Sequence, residues 1–287
     1  MSNYAIKAEG LHKKYGKFEI SGLSLSLPKG CIMGLIGENG AGKSTLIRLL
    51  MNACDCDGGT VSLLDDDKVG YSEDDVRQDI GIVIDPACLP QQYNATVLGK
   101  VLSGYYKRWD NEAYDKYLDL FEIDRKKKIF NLSTGTKMKL MIATALSHDA
   151  KLLILDEPTN GLDPMVREQF LDILSDFTLD PEHSVLISSH IISDLEKICD
   201  YVAYMHRGRL KFCDEKDKLL DDYRIVKCSE AQLDDLPKSS CLGAKKGQFG
   251  CEVLMKNSEI PLGFTKERTT LEQIILFMAR DGKEREQ

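Results

Sequence analysis

The feature that most constrains this chain is a glycine-rich loop between an apolar segment and an amphipathic one. Residues 37–44 read Gly-Glu-Asn-Gly-Ala-Gly-Lys-Ser and match the phosphate-loop pattern at every defined position. The apolar residues 31–36 predict a strand buried on both faces, and residues 44–50 predict a helix. In this order the three segments form an anion site, because backbone N–H groups converge at the helix N-terminus. The sequence therefore predicts an α/β fold that binds a nucleotide.

Each part of this loop has an expected task. The glycines let successive backbone N–H groups approach the phosphates, and the helix N-terminus adds partial positive charge. We expect Lys43 to reach the β- and γ-phosphates and the Ser44 hydroxyl to ligate magnesium. A glycine loop with a purely structural task is the alternative, and the flanking strand and helix disfavour it. The predicted nucleotide-binding residues of the loop are Gly37, Glu38, Asn39, Gly40, Ala41, Gly42, Lys43, Ser44 and Thr45.

Two carboxylates end a second apolar segment. Residues 152–155 predict a buried strand, and Asp156 and Glu157 follow it at the end where parallel sheets bind ligands. We expect Asp156 to hold the magnesium shell and Glu157 to orient or deprotonate the attacking water. The alternative is a strand end that meets solvent, which the phosphate loop makes less favourable. His190 ends the next predicted strand, at 185–187, and is expected to contact the γ-phosphate or that water.

The order of elements predicts the architecture of residues 1–222. The strands at 152–155 and 185–187 are separated by a helical segment, and this alternation indicates a parallel sheet. Residues from about 95 to 147 have a wholly helical pattern, which predicts a helical insert at about 86–147. Two sets of residues define the apolar faces of that insert: Tyr114, Tyr117, Leu118 and Phe121, and Met138, Met141, Ile142 and Ala145.

The end of the chain predicts a small α+β appendage at 223–287. Its signals are two strand-like pieces, 224–228 and 249–255, and a helix over 271–279. Thr270 and Gln273 have the spacing of a capping box at the start of that helix. Whether this appendage contacts another subunit or only stabilises the rest of the chain is left open by its sequence.

The composition disfavours several classes of protein. No run approaches the roughly 18 apolar residues of a spanning helix, and the first residues lack a signal-peptide layout, so we expect any membrane role to go through a partner. The net charge of -8 disfavours nucleic acid as a partner. Nine scattered cysteines without a CxxC pair indicate free thiols. A metal or redox role for Cys54 and Cys56 is the weaker alternative.

From about residue 4 to 220, these residues resemble the ATP-binding-cassette (ABC) ATPases. Residues 132–136, Leu-Ser-Thr-Gly-Thr, are similar to the family's LSGGQ signature; they keep Ser133 and Gly135 and depart from it at the two threonines. Asp163 in Gly-Leu-Asp-Pro resembles the D-loop, and His190 the switch histidine. Tyr15 occupies the position of the aromatic that stacks on adenine, although a packed surface aromatic is the alternative for this residue.

The resemblance implies a function and partners. It implies a P-loop NTPase of the ABC type that uses ATP and Mg2+, with ATP held between the phosphate loop of one subunit and Ser133 and Gly135 of a second copy. It further implies integral membrane permease subunits, a place on the cytoplasmic side of the cell membrane, and export of a peptide or drug. Alternatives are a soluble ABC ATPase with a non-membrane partner, or an ATP-dependent clamp without turnover. Glu157 and His190 argue against the clamp.

Asp85 is the clearest departure from the resemblance. It ends the apolar residues 80–84, where the family usually has a glutamine that senses magnesium and water and links to the membrane subunit. A carboxylate is a stronger magnesium ligand than an amide oxygen, so we expect Asp85 to be a metal ligand. The alternative is that Asp85 caps the following turn while Gln91 or Gln92 does the sensing.

Overall fold

The computed structural model describes residues 3–64, 74–237, 240–247 and 250–284. The strands are β1 (Tyr4–Tyr15), β2 (Phe18–Pro28), β3 (Ile32–Ile36), β4 (Gly58–Leu63), β5 (Ile80–Val83), β6 (Leu152–Asp156), β7 (Ser184–Ser189), β8 (Tyr201–His206), β9 (Arg209–Glu215), β10 (Tyr223–Cys228), β11 (Cys241–Gly247), β12 (Gly250–Lys256) and β13 (Thr265–Arg268). The α-helices are α1 (Lys43–Leu50), α2 (Asp74–Gln78), α3 (Ala95–Ser103), α4 (Asn111–Leu120), α5 (Thr134–Ala145), α6 (Pro164–Phe177), α7 (Ile192–Ile198), α8 (Lys216–Asp222), α9 (Glu230–Leu233) and α10 (Leu271–Glu284).

A six-stranded sheet in the order β5-β6-β7-β3-β8-β9 organises the molecule. Its first five strands are parallel and only β9 is antiparallel, which confirms the predicted α/β class. The register pairs Asp156 of β6 with Ser188 of β7, and Ile36 of β3 with Ser189. The carboxyl ends of β3, β6 and β7 therefore lie side by side, and each is followed by one of the predicted site segments.

A second sheet, β2-β1-β4, is antiparallel. Strand β2 has a period-two pattern, since Leu23, Leu25 and Leu27 are buried while the residues between them are more exposed. These leucines join a core cluster with Met33 of β3 and Leu46 of α1, so this sheet packs over the phosphate-loop unit. Tyr15, at the end of β1, is thereby placed near the loop.

Helices α3, α4 and α5 form the insert between β5 and β6, as the sequence predicts. Its predicted apolar faces are buried, with Tyr117 only partly so. The expectation of a wholly helical stretch is wrong for residues 104–110 and for most of 121–133, which connect the helices. Local chemistry explains the breaks: Gly104 ends α3, and the Asp110 carboxylate caps α4 by accepting from Glu112 N at 2.8 Å.

Strands β8 and β9 form a hairpin, and a third sheet follows in the order β11-β12-β10-β13. The strand predicted from residue 249 begins at Gly250, and residue 249 itself is outside the described residues. The last helix continues to Glu284, beyond its predicted end at Ala279, and the Thr270–Gln273 capping box is present. Helix α10 packs against α7, α8 and β11. The domain limits at 222 and 223 stay a prediction.

Candidate nucleotide site

The phosphate loop follows β3 and leads into α1. A side chain at Gly37 would place its Cβ 2.5 Å from the carbonyl oxygen of Met205, and one at Gly42 would lie 2.7 Å from the Phe18 ring. Gly42 also has φ +109, in the left-handed region that favours glycine. Both positions therefore require glycine. Residues Glu38, Asn39 and Gly40 form the exposed part of the loop, which leaves their backbone accessible to a ligand.

Three predicted site residues form a continuous polar chain. Lys43 is buried, and its Nζ donates to the carbonyl oxygen of Gly37 at 2.7 Å and lies 3.3 Å from Glu157 Oε1. The other oxygen, Glu157 Oε2, is 2.6 Å from His190 Nδ1 and also accepts from the His190 backbone N–H at 3.3 Å. Glu157 has φ +50, a strained backbone conformation of the kind found at functional sites. The structure thus brings together the residues expected to act on the γ-phosphate.

Ser188 is a site residue that the sequence reasoning missed. Its hydroxyl donates to Asp156 Oδ1 at 2.6 Å and accepts from Glu157 N at 2.9 Å. One serine therefore fixes both carboxylate-bearing residues at the end of β6. The signal was present in the sequence, because two serines interrupt the apolar β7 directly before His190, and both are buried. Buried hydroxyls need hydrogen-bond partners, which indicates a polar neighbour across the sheet.

Asp156 and Glu157 border a cavity of about 740 Å³, whereas Lys43, Ser188 and His190 are not among the residues that line it. The predicted residues that line it are Tyr15, Ser44, Asp85, Asp156 and Glu157. Other residues that line it were not predicted as contacts, among them Arg48, Cys54, Thr134, Met138 and Asn160. Thr134 and Met138 belong to α5, so the helical insert closes one side of this cavity.

Tyr15 lies at the mouth of the cavity with 48% of its surface exposed. Lys13 Nζ is 5.1 Å from the centroid of its ring, and Cys54 is a side-chain hydrogen-bond partner that raises the pKa of Tyr15 above its ordinary value. An exposed ring beside a cavity is suitable for stacking on a base. Its role with adenine stays a prediction.

Asp85 borders the cavity but already has a local partner. Its Oδ1 accepts from Ala87 N at 2.8 Å and caps the 3-10 turn Pro86–Cys88, as the alternative for this residue predicts. Gln91 is not among the residues that line the cavity, since it donates to the carbonyl oxygen of Leu89 and accepts from Lys137 Nζ at 3.1 Å. Of the residues considered for sensing magnesium, Asp85 lines the cavity, and Gln91 and Gln92 do not.

Ser133, Gly135 and Asp163 do not line the cavity of their own chain, and within the phosphate loop only Ser44 does. The Ser133 hydroxyl caps α5 by accepting from Thr136 N at 3.1 Å, and a Cβ at Gly135 would lie 2.4 Å from the carbonyl oxygen of Gly161. Asp163 caps α6, and the N–H of Val166 is the main cause that holds the pKa of its carboxyl below the ordinary value. These residues form a second surface beside the cavity.

The oxygen donors at the cavity fit a magnesium ion. Asp156 Oδ1 accepts from Ser188, and its Oδ2 has no hydrogen bond within the described ranges, so one carboxylate oxygen is available at the cavity that Ser44 also lines. Hard cations such as Mg2+ prefer such oxygens and keep several ligands from water and phosphate. Within the part of the chain that the structure describes, no group of three or more His, Cys, Asp or Glu side chains forms an all-protein metal site, and Cys54 and Cys56 are free thiols.

Comparison with known proteins identifies the family of this chain. Residues 20–160 match the family model described as ABC transporter. The bacitracin transport ATP-binding protein BcrA of Enterococcus faecalis is 34% identical over 216 residues, which cover 72% of this chain and 68% of that protein. The lantibiotic transport ATP-binding protein SrtF of Streptococcus pyogenes is 34% identical over 209 residues, which cover 71% of this chain and 88% of that protein.

Solved structures have the same fold. An ATP-binding subunit of an ABC transporter superposes with a TM-score of 0.67 at 23% identity and covers 75% of this chain and 91% of its own. A cassette solved as a dimer in a post-hydrolysis state with ADP and Pi superposes with a TM-score of 0.65 at 21% identity and covers 73% of this chain and 98% of its own. Both confirm the predicted P-loop fold of the ABC type.

Proposed function

We propose a function from the premise that this chain belongs to the ABC transporter ATP-binding proteins, which hydrolyse ATP to drive transport. The chain is therefore an ABC-type ATPase. The proposal rests on the continuous polar contacts from Lys43 through Glu157 to His190 beside the cavity. We infer that ATP binds in this cavity with its phosphates on the loop 37–45 and its base against Tyr15.

In this proposal the acidic and basic residues have different tasks in binding the phosphates and activating water. Lys43 binds the β- and γ-phosphates, and Glu157 orients the attacking water and accepts its proton. His190 holds the Glu157 carboxylate in place through the 2.6 Å contact and contacts the γ-phosphate. Ser44 and Asp156 would hold Mg2+, with Asp85 as a further candidate. When bound, Mg2+ neutralises charge that develops on the phosphates.

A second copy of the chain completes the site in this proposal. Ser133 and Gly135 do not line the cavity of their own chain, but Ser133 lies at the N-terminus of α5, where free backbone N–H groups favour an anion. A facing copy could offer this end to the γ-phosphate. The relative solved as a dimer with ADP and Pi has the same fold, which supports a homodimer around two ATP molecules.

The Glu157→Gln variant tests the catalytic assignment. We expect ATP binding to persist, steady-state hydrolysis to fall by about 100-fold or more, and an ATP-bound dimer to accumulate in light scattering. Glu168→Gln is the matched control, because it makes the same charge change on α6 in a glutamate that also pairs with a lysine. Lys43→Ala should instead weaken ATP binding by about tenfold or more, because it removes a charge-assisted phosphate contact. Wild-type turnover in Glu157→Gln would remove this residue from the mechanism.

We further propose that the chain docks on a membrane permease at the cytoplasmic side of the membrane. Within the described ranges, no helix combines the length and apolar character needed to span a bilayer. A groove of about 340 Å³ beside the nucleotide cavity is lined by apolar Ile47, Ile82, Tyr105 and Tyr106 and by the cations Arg48 and Arg77. It suits an apolar cytosolic segment of the permease that carries an acidic residue. Tyr105→Ala should reduce co-purification with the permease while ATP binding stays unchanged.

Export of a peptide or drug is the finer part of the proposal. It rests on relatives named for bacitracin and lantibiotic transport. A strain that lacks this chain should become more sensitive to one such peptide, and complementation with the wild type, but not with Glu157→Gln, should restore growth. Equal sensitivity of all strains across bacitracin and lantibiotics would contradict peptide export of this class.

A further inference from the structure

Helix α7 begins two residues after His190 and lies directly on β3, the strand that leads into the phosphate loop. Leu195 and Cys199 are buried at this contact. A side chain at Gly34 of β3 would place its Cβ 3.0 Å from Cys199 Sγ and 3.1 Å from Leu195 Cδ1. Because Gly34 has no side chain, α7 approaches the strand closely. Helix α7 therefore holds the segment that follows His190 against the strand of the phosphate loop.

The C-terminal helix α10 packs against α7 as well. Leu271, Ile274 and Ile275 of α10 are buried in the same hydrophobic cluster as Leu195, and Leu271 has no exposed surface. The last helix of the chain is thus part of the core that supports the nucleotide site, although it is more than 70 residues away from His190 in sequence.

A polar contact fixes the two helices relative to each other. Glu196 Oε1 of α7 accepts from the backbone N of Leu271 at 3.5 Å, at the first turn of α10. Unpaired N–H groups and the partial positive charge at a helix N-terminus favour a carboxylate there. The Glu196 carbonyl oxygen also accepts from Lys216 Nζ at 3.0 Å, next to the start of α8. Glu196 thereby connects α7 to both α8 and α10.

We propose that Glu196 and Leu271 are positioning residues for ATP hydrolysis, and that α10 holds α7 so that His190 stays in contact with Glu157. This inference rests on the role proposed above for His190. The contact is sensitive to small displacements, because a single Glu157 oxygen lies 2.6 Å from His190 Nδ1 and accepts from the His190 backbone N–H at 3.3 Å. A shift of α7 disturbs both, and a displacement of about 1 Å at a reacting group can cost about 100-fold in rate. ATP binding depends on the loop and should be spared.

Substitutions in the full chain test this inference. Leu271→Ala should lower kcat by about tenfold and leave the Kd for ATP within about twofold. Leu276→Ala is the matched control, because it makes the same truncation on the same helix at a position that is 49% exposed. Glu196→Ala should lower kcat in the same way, whereas Glu196→Gln keeps an acceptor oxygen and should restore most of it. If Glu196 and Leu271 had a purely structural role, their substitutions would lower the thermal midpoint of unfolding. They would not lower kcat selectively while the Kd for ATP stays constant, and Glu196→Gln would not restore kcat.

A double-mutant cycle with His190→Ala separates failure of the inference from failure of the proposed mechanism. If α10 acts through His190, Glu196→Ala should cause little further loss of kcat in the His190→Ala background. Fully additive losses, or an unchanged kcat in folded Leu271→Ala, would overturn the positioning role. Wild-type turnover in His190→Ala would instead refute the histidine's own role.

Discussion

Lys43 Nζ and Glu157 Oε1 lie 3.3 Å apart, so the proposed phosphate-binding cation and the proposed catalytic carboxylate form an ion pair with each other. Lys43 is buried, and it donates in addition to the carbonyl oxygen of Gly37. An incoming γ-phosphate must therefore compete with Glu157 for Lys43 and must approach a like charge. With the roles proposed above, the pair that acts in hydrolysis therefore also opposes the binding of ATP.

This relationship predicts that Glu157→Gln binds ATP more tightly than the wild type. The substitution releases Lys43 from its ion pair and removes a negative charge near the γ-phosphate, so we expect the Kd to fall by up to about tenfold, equivalent to about 1.4 kcal/mol. Equilibrium binding of a fluorescent ATP analogue in EDTA measures this without hydrolysis. Glu168→Gln controls for net charge and should leave the Kd unchanged. An unchanged or higher Kd in Glu157→Gln would show that the ion pair does not compete with nucleotide.

Ser188 provides the second prediction. Ser188→Ala leaves Asp156 Oδ1 without its donor and Glu157 N with only the Ser188 carbonyl oxygen at 3.2 Å. We expect kcat to fall by about tenfold and the free energy of unfolding by about 1 kcal/mol. Ser184→Ala is the matched control at the other end of β7, where a buried serine accepts from Gly30 N. It should cost similar stability without loss of kcat, and equal kcat losses in both variants would contradict a specific role for Ser188.

Much of this site was predictable from the sequence, because the phosphate loop and the strand-end residues Asp156, Glu157 and His190 are fixed by local pattern and by the rule that ligands bind at the carboxyl ends of parallel strands. The contact between Ser188 and Asp156 could not be predicted from the sequence, because it depends on the pairing of β6 with β7, which no local pattern encodes. Strand β13 was missed because all four of its residues are exposed and have no apolar alternation.

The C-terminal helix illustrates the same limit. Its amphipathic pattern and capping box predict a helix, and the helix is present. That its apolar face packs on α7 could not be predicted, because an apolar stripe indicates burial but not the surface that covers it. The sequence left open whether the appendage contacts another subunit or stabilises its own chain, and the burial of Leu271 beside Leu195 favours the second.

His148 predicts how stability depends on pH. It is buried against Tyr106, with ring centroids 3.8 Å apart; its Nδ1 is 3.2 Å from the carbonyl oxygen of Gln78, and its Nε2 has no hydrogen-bond partner in the described part of the chain. Burial is the largest cause that lowers the pKa of His148 in the folded chain. The unfolded state then binds more protons, so this contribution is present above about pH 6.5 and is lost as the pH falls towards the folded pKa.

The matched variant is His148→Phe, which keeps an aromatic ring against Tyr106 but cannot be protonated. We expect the wild type to lose stability between pH 6.5 and 5 more steeply than His148→Phe, by at most about 1.4 kcal/mol per pH unit. Urea denaturation at a series of pH values measures both slopes, and the other histidines are common to the two proteins. Parallel slopes would show that His148 does not contribute.

Asp85 could act as a cap of the following turn or as a charged group at the cavity, and substitutions distinguish these two roles. Its Oδ1 caps the turn through Ala87 N, while the residue borders the cavity beside Ser44 and Asp156. Asp85→Asn keeps an acceptor for the cap and removes the charge, whereas Asp85→Ala removes both and should cost about 1 kcal/mol of stability. If Asp85 serves only as a cap, Asp85→Asn should behave as the wild type in every assay.

We expect a different result, because two unit charges 4 Å apart interact by about 4 kcal/mol at an effective dielectric of about 20. An ionised Asp85 should repel the γ-phosphate unless Mg2+ lies between them, so ATP-driven dimerisation should depend strongly on magnesium. In the Glu157→Gln background, light scattering with ATP in Mg2+ or in EDTA measures this dependence. Asp85→Asn and Asp85→Gln should each lower the ratio of dimer formed in Mg2+ to dimer formed in EDTA by about tenfold. Gln91→Ala should leave this ratio unchanged. An unchanged ratio in Asp85→Asn would leave Asp85 as a turn residue.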